Sequence, residues 1–152
     1  MDRSEARKLL QRWAVIDLEI EDAEKAYKAK CDEIDMVASI PSPVQSLSPM
    51  PHDKNVSRTT ERVALRRIEI AESYRDELNR LNEAVINAMR FKHKISECLL
   101  ICTPDEEEVV TGRYKYRMSM PVVAKKLCIG VATGWRYEQN VLDTICDTWT
   151  EV

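Results

Sequence analysis

Residues 103–145 read TPDEEEVVTGRYKYRMSMPVVAKKLCIGVATGWRYEQNVLDTI, and they decide the fold. Thr103 can cap a helix, Pro104 suits a first helical position, and Glu106 completes a capping box. This first helix is expected to run through Val109 and Val110 towards Tyr114. Ser119 and Pro121 mark a second start, for a short helix over Val122, Val123, Ala124 and Leu127. Cys128-Ile129-Gly130 reads as a tight turn, and a last helix follows from Val131 to about Ile145. These are helix-turn-helix proportions. Val123 and Leu127 supply the inner face of the first motif helix, and Ala124 supplies a close approach. Ile129 can plug the turn, while Tyr137, Leu142 and Ile145 can anchor the second helix from beneath.

The charge distribution adds a second signal. The chain carries a formal net charge of -3, which on its face argues against phosphate binding. Yet Asp and Glu are absent from Val109 to Tyr137, a stretch that holds Arg113, Lys115, Arg117, Lys125, Lys126 and Arg136. The acids lie elsewhere, as at Glu106, Glu107 and Glu108, where a helix dipole favours them. A basic window laid over a helix-turn-helix on an acidic chain points to duplex DNA.

Upstream, the pattern is that of long helices. From about Ser4 to Ala38, alternating steps of three and four pick out Ala6, Leu9, Trp13, Ile16, Ile20, Ala23, Tyr27, Lys30, Ile34 and Val37, all apolar but Lys30. That alternation is a coiled-coil seam, roughly 50 Å long at 1.5 Å per residue. Pro41, Pro43, Pro49 and Pro51 then interrupt helix, marking a linker at about 39–56. A second seam from about Ser57 runs through Ala64, Arg67, Ala71, Tyr74, Leu78, Leu81, Val85, Ala88, Lys92, Ile95 and Leu99, apolar except Arg67 and Lys92. Neither stripe can stay exposed. The two form an antiparallel pair within one chain or a parallel or antiparallel dimer between chains. The expected fold is therefore all-α: residues 1–100 a long, coiled-coil-like helical hairpin or oligomerisation region, residues 101–152 the helix-turn-helix bundle. Few glycines and a charged-residue content of 32% agree with helices rather than sheet.

Other chemistries find little footing. Apolar runs fall short of the ~18 residues of a membrane span, and MDRSEARKLL lacks the apolar core of a signal peptide. A cytoplasmic protein with five reduced cysteines is expected, with no membrane partner. Cys98 and Cys102 share a helix face, but zinc wants four ligands, so thiols in packing are the better reading. His52 and His93 stand apart and form no catalytic constellation. Phosphate-cradling loops and nucleophile elbows are missing, so the chain reads as a non-enzyme without a cofactor.

The run SMPVVAKKLCIGVATGWR, residues 119–136, resembles region 4 of sigma-70-type factors. The chain as a whole resembles late-gene transcriptional regulators of Gram-positive phages, in which a coiled-coil half precedes a Ser/Pro-containing segment, a second long helix and a region 4-like module. IPSPVQSLSPMPHDKNVSRTTERVA has the linker character of that family, and EEEVVTGRYKYRMSMPVVAKKL its tyrosine-containing helix end before the motif. The resemblance implies sequence-specific DNA binding and transcription regulation. Two positions depart from the motif: Cys128 stands where the turn often has glycine, and Gly134 where a branched apolar residue is usual.

The DNA-binding residues expected are Arg113, Lys115, Arg117, Lys125, Lys126, Val131, Ala132, Thr133, Trp135, Arg136 and Gln139. Lys125 and Lys126 would meet phosphates, while Val131, Ala132, Trp135, Arg136 and Gln139 face outward near the end of the helix that enters a major groove. Trp135 reads first as packing against the preceding helix and second as a thymine-methyl contact. Trp149 reads as a packing residue that ties down the last helix. The expected function is transcriptional regulation of phage or prophage genes by a homo-oligomer, a dimer by preference, that contacts DNA and RNA polymerase. The rivals are a small terminase-like packaging protein, which would form a ring, and a purely protein-binding helical module.

Overall fold

Among the described residues, proline enters helix only in a first turn, as at Pro104 and Pro121. The computed structural model describes residues 1–39 and 53–149, and among them it is helical throughout, with six α-helices, one π-helical turn and no strand. Helix α1 spans Arg3–Ser39, α2 Asp53–Ser73, α3 Arg75–Ile101, α4 Pro104–Val110, α5 Met120–Lys126 and α6 Val131–Thr148; a π-helical turn over Thr111–Lys115 extends α4. The all-α expectation holds. The proline-rich stretch expected at about 39–56 lies largely outside the described residues.

Local chemistry sets the helix ends. Asp2 and Glu5 cap the start of α1 reciprocally: Asp2 Oδ1 accepts from the Glu5 amide at 2.8 Å, and Glu5 Oε2 accepts from the Asp2 amide at 3.0 Å. Thr103 and Glu106 form the capping box read from the sequence, with the Thr103 amide donating to Glu106 Oε2 at 3.0 Å. The second seam is not one helix. It is divided at Tyr74, where the Ser73 hydroxyl donates to the Ile70 carbonyl at 2.8 Å. A serine that bonds a carbonyl of its own preceding turn competes with the helical ladder, and the apolar spacing alone could not report that.

The chain divides into two compact units, residues 1–21 with 86–152, and residues 22–85. These units do not coincide with the boundary at about residue 100 expected from the sequence. The reason is apolar: Ala6, Leu10, Trp13 and Ile16 of α1 and Phe91, Ile95 and Leu99 of α3 share one core with Val110, Val141, Leu142 and Ile145. The helix-turn-helix is thus built on both ends of the long-helix region rather than appended to it. Trp149 anchors the end of α6 as expected, edge-on to Phe91 with ring centroids 5.8 Å apart. Lys92 Nζ meets Asp17 Oδ1 at 2.6 Å, and that ammonium holds the Asp17 carboxyl below its ordinary range.

The unit of residues 22–85 is thinner. Among its described residues none is fully buried. The α1 seam continues here through half-buried Ala23, Lys30, Ile34 and Val37. Lys30 Nζ pairs with Glu77 at 3.0 Å and Glu33 at 3.1 Å, and lies 4.5 Å from the Tyr74 ring centroid. By contrast, Val63, Leu65 and Ile68 of α2 are exposed. No helix among the described residues is long and apolar enough to cross a membrane.

Candidate nucleic-acid interface

The candidate interface is built on α5, α6 and the turn 127–130 between them. Ser119 caps α5 with extended backbone, and Pro121 sits in its first turn. The turn is closed by Cys128, whose φ of 56° is left-handed, and by an Ile129 amide that donates to the Ala124 carbonyl at 2.9 Å. This is the bond of a Schellman helix end, where glycine is usual because a side chain strains that backbone. Cys128 therefore takes up the conformation that a glycine would adopt in the turn, at a cost of about 1 kcal/mol.

Gly134 is explained by packing. It is buried, and a β-carbon there would lie 2.6 Å from the Met120 sulfur. The missing side chain lets α6 cross α5 closely over Met120, Val123 and Val109, with Leu127, Ile129 and Tyr137 around them. The inner-face assignments of Val123, Ala124, Leu127, Ile129 and Tyr137 agree with this packing.

With that face inward, Val131, Ala132, Trp135 and Arg136 are exposed on α6, and Thr133 and Gln139 are half-buried. Gly130 caps α6 without a side-chain bond, and its first turn holds no acid. The amides there form a positive helix end without a carboxylate of their own. Lys125 and Lys126 are exposed in the last turn of α5.

Trp135 is 42% exposed and belongs to neither core cluster. The packing role read first from the sequence gives way to a surface one. The Arg113 guanidinium carbon lies 4.7 Å from the Trp135 ring centroid. That stack fixes the indole plane from below.

Arg113 is half-buried, whereas Lys115 is exposed. Arg113 Nε is buried 3.7 Å from Oε2 of Glu138, which is itself only 1% exposed, and neither atom has a hydrogen-bond partner among the described residues. Tyr114 donates to the other oxygen, Oε1, at 2.8 Å. The ammonium of Lys115 lies 4.3 Å over the Trp13 ring of α1. Arg113 thus lies beneath Trp135 of α6, while the exposed Lys115 rests against α1. A π-helical turn causes this: it winds more residues into one turn than an α-helix, so residues 111–115 leave the register that an α-helical reading assigns them.

Glu138 escaped the sequence reading. It sits just past the acid-free window, and only the pairing of Tyr114 and Arg113 at their π-helical spacing could have pointed to it. Among the cysteines, Cys98 accepts a hydrogen bond from the Thr148 hydroxyl at 3.2 Å, and burial pushes the Cys102 thiol up from its ordinary range. Both are packing thiols. No family model, curated protein or solved structure matches the chain.

Proposed function

We propose that this protein is a sequence-specific DNA-binding transcriptional regulator, of phage or prophage genes, that reads the major groove with the N-terminal half of α6. The observation that carries this reading is the join of an acid-free helix end to exposed cations: the start of α6, capped by Gly130 without a side-chain bond, with Trp135 and Arg136 on its outer face, and Lys125 and Lys126 on the end of α5 before it. Apolar and guanidinium groups suit base edges, and ammonium groups suit flanking phosphates. The tight α5–α6 crossing over Gly134 supports a rigid reading head. The resemblance of residues 119–136 to a region 4 module supports the same role.

The protein acts as a dimer through residues 22–85, where Val63, Leu65 and Ile68 of α2 are exposed and no described residue is fully buried. The test is selection of duplexes from a random pool, followed by anisotropy titration of the selected and scrambled duplexes at several salt concentrations, with the solution mass measured by light scattering. A selected motif, a steep salt slope and a dimer mass agree with the reading. Absence of duplex binding removes it, and a ring of eight or more subunits transfers the chain to DNA packaging.

A further inference from the structure

Beside the recognition face lies a cavity of about 480 Å³ lined by three arginines, Arg7, Arg113 and Arg117, with Gln11, Tyr114 and Ser119 between them and no carboxylate in its wall. Arg113 has Glu138 as its counter-charge. Arg7 and Arg117 are exposed and form no ion pair among the described residues. Ser119 caps α5 by backbone position only, with its hydroxyl making no capping bond. Arg117 is held there at a cost: its φ of 51° is left-handed, and the Met118 amide closes behind it onto the Gly112 carbonyl at 3.0 Å. Like charges converging on one cavity repel unless an anion joins them, and guanidinium forks match the oxygens of a phosphate group.

We infer that this cavity seats a backbone phosphate of the bound DNA, so that Arg7 and Gln11 of the N-terminal helix belong to the DNA-binding surface. This rests on the reading of α6 as the recognition helix. The link is Arg113, which lines the cavity and also stacks on Trp135, one guanidinium away from the exposed face of α6. A strand whose bases face Trp135 and Arg136 brings its phosphate to that side. A phosphate group could also arrive as a free anion, and the two sources separate in solution.

The experiment compares wild type, Arg7→Ala, Arg117→Gly and, as a control outside the cavity, the exposed Arg90→Ala. Arg117→Gly removes a guanidinium while relaxing the left-handed backbone, and its melting temperature checks that the fold is kept. Duplex affinity is measured against salt by anisotropy, and melting temperature is measured with and without inorganic phosphate. The expected result is that Arg7→Ala and Arg117→Gly each flatten the plot of log affinity against log salt by about one unit, equally for selected and scrambled duplexes, while Arg90→Ala does not. If the wild type binds DNA and either variant keeps its slope, the phosphate seat is overturned while DNA binding stands. If the wild type binds no duplex, both readings fall. Stabilisation of the wild type but not of Arg7→Ala by inorganic phosphate, with DNA slopes unchanged, makes the cavity a free-anion site and overturns the inference.

Discussion

The hydroxyl of Tyr114 donates to Oε1 of Glu138 at 2.8 Å, joining the π-helical turn to the middle of α6. Glu138 Oε2 faces Arg113 Nε at 3.7 Å, and Arg113 in turn lies under Trp135. One buried carboxylate thus positions both α6 and the indole on its outer face. A second tie runs nearby, from Asn140 Nδ2 to Oε1 of Glu106, whose other oxygen caps α4. Helix α6 is pinned by these two ties to the helix before the motif.

Removing the Tyr114 hydroxyl leaves a buried carboxylate oxygen without its donor. Tyr114→Phe should cost about 1–3 kcal/mol in urea denaturation. It should also change the alkaline limb of stability. Burial first, then the hydrogen bond to Glu138 and its charge, push the Tyr114 phenol from 10 up to about 12. The folded protein therefore holds this proton more tightly than the unfolded chain. That contribution is complete below pH 10 and is lost as pH climbs through 12. The wild type should lose stability across that window, and Tyr114→Phe should lose less. An absorbance titration in which the Tyr114 phenol ionises near pH 10 counts against the buried bond.

The α1 seam makes a contrast between neighbours. Ile16 is fully buried in the core shared with α3 and α6, whereas Leu18 is 62% exposed. Ile16→Ala should cost about 2–5 kcal/mol, and Leu18→Ala should stay within about 0.5 kcal/mol of wild type. Equal midpoints in denaturant for the two variants would mean that the seam is rotated from the face assigned to it.

Gly134 supplies a test of the helix crossing. The β-carbon that Gly134→Val introduces would fall 2.6 Å from the Met120 sulfur, and overpacking of this kind costs about 1–3 kcal/mol. Adding Met120→Ala should recover part of the loss, because the two sites share one space. A melting temperature unmoved by Gly134→Val would show that α5 and α6 do not approach so closely.

Period and punctuation were the legible part of this chain. The α1 seam, the Thr103–Glu106 capping box and the turn at Cys128 follow from residue spacing and cap chemistry, which act locally. Three features depend on distant partners and were not legible. The sharing of one core by Leu10, Ile95 and Leu142 needs tertiary packing. The burial of Glu138 needs Tyr114 and Arg113 to arrive by a π-helical turn. The surface position of Trp135 needs Gly134 to set how α6 rotates over Met120. Within the candidate interface, charge alone marked Lys125, Lys126 and Arg136 as exposed, as they are, but it could not tell them from Arg113, whose counter-charge lies beyond the basic window.

Lys125 and Lys126 end α5 in solvent. Under the DNA-binding proposal they meet phosphates. Changing both to alanine should weaken every duplex to the same degree and lower the salt slope by about two units. Because neither side chain is buried, the melting temperature should hold. A wild-type slope in the double variant places these lysines off the DNA.

Arg136 tests whether the outer face of α6 reads sequence. It is exposed next to Trp135 and, unlike Arg113, has no carboxylate partner among the described residues. A guanidinium there can pair with O6 and N7 of one guanine, a contact worth about 1–3 kcal/mol of discrimination. Arg136→Ala should then relax preference at a single base position in a selected duplex while nearly preserving affinity for scrambled DNA. A phosphate contact behaves differently, because both duplexes lose affinity together and the salt slope falls by about one unit. Measuring wild type and variant on both duplexes at one fixed salt concentration, then repeating at a second, separates the two. Parallel loss removes Arg136 from base reading and leaves the module a DNA binder. Unchanged binding on both duplexes places the recognition surface on another face of α6.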